Sequence, residues 1–103
     1  MRGKSLMSDE DNPMCFICNT TLNLQVHHIF NGPNRTKSDE DGCWCYLCAY
    51  HHVDGNNSVH RNPERAMYLK RICQRKWEQR YEEEFPNSDY IEAFRKRYHK
   101  SYI

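Results

Sequence analysis

No stretch of this 103-residue sequence approaches the ~20 consecutive apolar residues of a membrane-spanning helix, and the longest apolar-looking run, Cys43 to Tyr50, is less than half that. A membrane is therefore not an expected partner. The opening MRGKSLMSDEDNPM has neither the apolar core nor the small-residue cleavage site of a secretory signal. That removes the oxidising route in which six cysteines would form a disulfide framework, so the chain is expected in the cytoplasm with reduced thiols. Internal repeats and low-complexity segments are lacking too. With 38% hydrophobic residues and a mean hydropathy of −1.03, the sequence can build only one small core, and a metal staple would relieve that shortage.

Net charge is also nearly missing, at +1, but it is unevenly placed. Residues 1–60 carry four basic groups against seven acidic ones, and residues 61–103 carry eleven against seven. Residues 1–13 read as a polar, mobile lead-in, and 14–103 as a single domain divided into a metal-rich part (14–60) and a basic helical extension (61–103).

What the chain does have is ligand chemistry. Ten of its twelve cysteines and histidines lie between Cys15 and His60, in pairs: Cys15-x2-Cys18, His27-His28, Cys48-x2-His51 and His52. Three thiolates and one imidazole from Cys15, Cys18, Cys48 and His51 make a closed tetrahedral set suited to a structural Zn2+. Cys45-x2-Cys48 is also a CxxC pair, so an all-cysteine site including Cys45 is the other register. Cys43 and Cys73 read as small hydrophobes. His27, His28 and His52 remain outside this site. Adjacent residues at a strand end point to opposite sides, which allows one of His27 and His28 to bind a metal while the other faces a substrate and takes a proton.

The coarse layout is α+β. Leu22, Leu24 and Val26 alternate with polar residues and predict a strand running into His27-His28, and Cys43–Leu47 predicts a second, antiparallel one. Residues 31–42 are rich in turn formers and read as an exposed loop. Cys48–Val53 predicts a short helix. Asn62 before Pro63 is a helix start signal for residues 63–83, and a last helix is expected at about 89–100 with Tyr90, Ile91, Phe94 and Tyr98 on its apolar face.

The stretches VHHIF, LCAYHH and SVH, with a Gly/Asn/Arg loop between the first two, resemble the HNH nucleases, whose fold is the ββα-metal or His-Me finger, and in particular the small HNH-like proteins of phages and prophages. The resemblance implies a zinc-stapled ββα core: a two-stranded hairpin, a short helix and two C-terminal helices. It implies an endonuclease hydrolysing DNA to a 5′-phosphate and a 3′-hydroxyl. His28 would be the general base. His27, His52 and, as a further ligand or phosphate contact, His60 would hold a catalytic divalent metal, Mg2+ or Mn2+. Arg35 and Lys37 in the loop are the foremost candidates for DNA phosphate contacts, with Arg71, Arg75, Lys76, Arg95, Lys96, Arg97 and Lys100 on the helices behind them. One position departs from the family pattern: Cys43 stands where an asparagine braces the loop, a role then left to Asn31 or Asn34. That departure keeps a second reading in view, a zinc-dependent DNA-binding or adaptor module without catalysis; a third is a structural zinc domain that contacts protein.

Overall fold

Strand β1, Leu24–His28, pairs antiparallel with β2, Trp44–Cys48, in the computed structural model, which describes residues 2–103. The register sets Leu24 opposite Cys48, His27 opposite Cys45 and His28 opposite Trp44. Leu22 stays outside the strand and exposed, because Asn23 adopts a left-handed φ of 54°, a conformation asparagine tolerates and a strand does not. β2 runs one residue later than the expected 43–47 and so takes in Cys48.

Residues 31–42 are not an exposed loop. They form a 3-10 turn, Gly32–Asn34, followed by the helix α1, Arg35–Glu40. The cause is Ser38, which is fully buried: its hydroxyl donates to the Cys43 carbonyl at 2.9 Å and accepts from the Phe30 amide at 3.2 Å. That hydroxyl braces the connection between the two strands, the task expected of Asn31 or Asn34. Asn34 instead donates to the Tyr98 carbonyl, and Asn31 is exposed.

After β2 the chain makes a π-helical segment, Tyr50–Asp54, in place of a regular short helix. Helix α2, Pro63–Glu84, starts as expected, with the Asn62 side chain accepting the Glu64 and Arg65 amides. Helix α3, Tyr90–Tyr98, is shorter than the expected 89–100. Asp89 caps its start, and His99 ends it by taking a left-handed φ of 63°. Ile91 is not on the buried face: residues 90, 94 and 98 stack at four-residue steps, and Ile91 points away from that row, 53% exposed.

The core lies between the hairpin and helices α2 and α3. Phe30, Phe94, Tyr98 and Trp77 form an aromatic cluster with ring centroids 4.8 to 6.3 Å apart. Truncating one of them to alanine would cost about 3–5 kcal/mol. Asp41 joins the layers, accepting from Tyr98 Oη at 2.6 Å, from Arg97 Nη2 at 2.9 Å and from Trp77 Nε1 at 3.0 Å. The polar start of the chain, expected to be mobile, is hydrogen-bonded over residues 3–8. The Gly3 amide donates to the Asp39 carbonyl, the Leu6 amide to Gly42, and the Tyr46 amide to Ser8 Oγ, while Trp44 Nε1 donates back to the Gly3 carbonyl. Gly42 is required here: it has a φ of 79°, and a Cβ would collide with the Lys4 carbonyl. No helix among the described residues is long and apolar enough to cross a membrane.

Candidate metal centres

Two clusters of ligand atoms emerge from this fold. The first contains Cys15, Cys18, Cys48 and His51, whose sulfur and ring-nitrogen atoms all lie within 4.8 Å of one another. Cys15 and Cys18 come from the turn before β1. Cys48 ends β2, and His51 follows in the π-helical segment. The Cys18 and Cys48 sulfurs are 3.8 Å apart. Two thiolates each about 2.3 Å from a tetrahedral zinc would also stand about 3.8 Å apart. His51 Nδ1 lies 3.3 Å from the Cys48 sulfur and 3.8 Å from that of Cys15, so it closes the same tetrahedron. The donor set and spacing therefore fit a structural Zn2+.

Electrostatics support that fit. Burial by itself would push the Cys15 thiol up, but the backbone amides of Cys18, Cys48 and Ile17 point at its sulfur and outweigh burial, bringing it down to about 6. A thiol held this low is a thiolate ready for a metal. Burial shifts Cys48 upward, and its neighbours Cys15 and Cys18 add to the shift, as expected where thiolates crowd without a cation between them. Cys45 does not join the cluster. It is fully buried opposite His27, and burial pushes its thiol up to about 12, so it remains an uncharged core residue.

The second cluster is His27, His52 and His60, again within 4.8 Å of one another. His27 lies on the inner side of β1, and its ring centroid is 5.4 Å from that of His52 and 5.7 Å from that of His60. The Nε2 atoms of His52 and His60 approach to 3.0 Å. Two imidazole nitrogens at that distance share a proton or a cation, and neighbouring donors about 2.1 Å from an octahedral ion are spaced by about 3.0 Å. His52 Nδ1 donates to Gln25 Oε1 at 2.6 Å, which leaves its Nε2 lone pair facing the other two rings. Burial drives His27 down to about 3, helped by His52, His60, His28 and Lys70, and burial lowers His52 in the same direction. Neutral rings coordinate without first releasing a proton. Three imidazole nitrogens and no carboxylate form a donor set suited to first-row transition ions.

His28 faces the other side of β1, half-buried. Its Nδ1 is 2.7 Å from Asp39 Oδ1, and its Nε2 is 2.9 Å from Arg35 Nη2. Both partners stand on α1, one helical turn apart. The residues singled out in the sequence fall into three places: four in the cysteine cluster, three in the histidine cluster, and His28 with Arg35 on the opposite face.

Lys37 is elsewhere. Its Nζ donates to the Arg97 carbonyl at 3.1 Å, so it is occupied within the fold. Arg97 is paired with Asp41 and Glu40, and Arg71 donates to the Tyr102 carbonyl. Sequence reasoning missed Gln25, Ser38 and Asp39. Gln25 had a signal, since it precedes His27 by two residues and must share its face of the strand.

Compared with protein-family models, with curated proteins and with solved structures, the chain gives no significant match.

Proposed function

We propose that this protein is a small metal-dependent endonuclease of the HNH type, hydrolysing DNA phosphodiester bonds with His28 as general base and a divalent ion held by His27, His52 and His60. The observation that carries the reading is the division of labour at the end of β1: adjacent histidines serve a three-imidazole cluster on one face and a carboxylate-bound imidazole on the other. The ββα-metal likeness rests on the hairpin with its following helical segment, the cysteine cluster between them, and the clustering of His27 with His52.

In the proposed reaction Asp39 is a positioning residue. It accepts the Nδ1 proton of His28 and so directs the Nε2 lone pair outward. Nε2 takes a proton from water as the oxygen forms a bond to phosphorus and the P–O3′ bond breaks; the leaving 3′-oxygen takes a proton from a solvent water, giving a 5′-phosphate and a 3′-hydroxyl. His27, His52 and His60 would hold a divalent ion, which when bound would supply positive charge to the phosphate oxygens. His27, His52 and His60 hold their lone pairs in place for that ion, with Gln25 fixing His52.

The test is plasmid cleavage by the zinc-loaded protein with added Mn2+. Nicked or linear product is expected from the native chain and none from His28→Ala; equal cleavage by both sinks the assignment of the base. The second reading, a DNA-binding module without catalysis, draws on Cys43 in the bracing position. It predicts binding that weakens steeply with salt and no cleavage with any ion. The brace supplied by Ser38 is what tells against it.

A further inference from the structure

Both ring nitrogens of His28 are engaged in the protein by itself. Asp39 Oδ1 stands 2.7 Å from Nδ1, and Arg35 Nη2 stands 2.9 Å from Nε2. A guanidinium has only donors, so a hydrogen bond from Arg35 requires a lone pair on Nε2 and hence the proton on Nδ1, facing Asp39. The lone pair needed to accept a proton from water is thus the one that Arg35 fills.

Arg35 has little else to hold it. It stands at the exposed start of α1, and no carboxylate among the described residues forms an ion pair with it; its one side-chain hydrogen bond runs to His28. An arginine whose sole partner is a neutral imidazole gains by exchanging it for a phosphate, which carries the opposite charge and can accept two parallel N–H bonds from the guanidinium fork. Lys37 is directed elsewhere, with its ammonium donating to the Arg97 carbonyl.

We infer that Arg35 is a displaceable cap on His28: it occupies Nε2 while the site is empty and leaves it for the backbone phosphate of an incoming nucleic acid, which uncovers the lone pair only when substrate is present. The consequence for cleavage rests on the nuclease reading, but the cap does not. A capped base keeps the site inactive toward water alone, and one side chain both recognises the phosphodiester and releases the base.

The experiment is nitrogen-detected NMR of the His28 ring in the full, zinc-loaded chain at about pH 8, above the ordinary histidine range, without added divalent ion. In the native protein Nδ1 is expected to be protonated and Nε2 to carry the shift of a hydrogen-bonded lone pair. Arg35→Ala should move Nε2 toward the unbonded position and leave Nδ1 in place. A short DNA duplex should move the native Nε2 the same way, and Arg35→Lys, with one compact cation, should respond weakly. An Nε2 shift that Arg35→Ala leaves unchanged overturns the cap, and one that responds to Arg35→Ala but not to bound duplex overturns its displacement. Failure of the nuclease reading is a separate result, the absence of cleavage or its persistence in His28→Ala, and neither alters the ring shifts.

Discussion

The cysteine cluster draws three thiolates and an imidazole from two turns and surrounds Cys15 with backbone amides, whereas the histidine cluster sets three imidazoles together with one amide side chain behind them. The first joins two segments 36 residues apart, with Cys15 and His51 on either side of the whole hairpin. The second also spans separate segments, with His27 on β1, His52 in the π-helical segment and His60 in the turn before α2, but it offers three ligands rather than four and its His60 is exposed. The contrast teaches where binding energy would go: a closed set of four ligands would turn metal binding into folding energy, while three imidazoles would leave positions open for exchange.

The sharpest way to break this comparison is to delete one ligand from each side. Cys48→Ala should unfold the domain, since structural zinc in small domains is worth on the order of 10 kcal/mol; circular dichroism should lose its helical signal and the protein its tightly held zinc. His60→Ala should keep the native spectrum and lose only the weaker, exchangeable ion. Comparable loss of structure in both variants would erase the distinction.

A second test stays on the other face of β1. Asp39→Asn should lower kcat by roughly a hundredfold, the scale of general-base catalysis, with KM within about twofold, because the amide misdirects the His28 tautomer without touching bound DNA. An equal rise in KM would make Asp39 a structural residue. Next in size is Gln25→Leu, expected to weaken divalent-ion binding at the histidine cluster by about 10–100-fold through loss of the hydrogen bond that orients His52. Titration calorimetry should show this with the tight zinc unaffected.

These residues also mark how far the sequence could be read. The ligand pairs were legible because metal coordination imposes spacing that local sequence carries: Cys15-x2-Cys18 needs only one turn, and Cys48-x2-His51 another. The start of α2 was legible for the same reason, as Asn62 and Pro63 act on amides within three residues. α1 was hidden because its composition is that of a loop, and what makes it helical is the burial of Ser38 against a carbonyl and an amide from two other segments. Asp39 and Asp41 sit in an acidic run that reads as solvent-exposed. One of them instead holds His28 and the other Trp77, Arg97 and Tyr98, through partners 11 to 57 residues away. Cys45 and His51 were equivalent on spacing alone, each three residues from Cys48; the fold separates them, gathering His51 with the other three ligands and leaving Cys45 buried opposite His27.

Cys45 offers the finest of these tests, because it lies directly across the hairpin from His27 and belongs to neither cluster. Burial holds its thiol near 12 in the folded protein, against about 8.5 in an unfolded chain. Between those values the unfolded chain releases a proton that the folded chain keeps. The unfolded state then binds fewer protons, and stability must fall as pH rises through this window. Cys73, which its hydrogen bond with Cys43 and its burial shift the same way, contributes in parallel. The difference between two slopes therefore isolates Cys45: urea unfolding of the zinc-loaded native chain should lose roughly 1 kcal/mol more between about pH 9 and pH 10 than unfolding of Cys45→Ala. Equal slopes would mean that Cys45 ionises in the folded state, as a zinc-bound thiolate does, and the cysteine cluster would then have to be redrawn to include it.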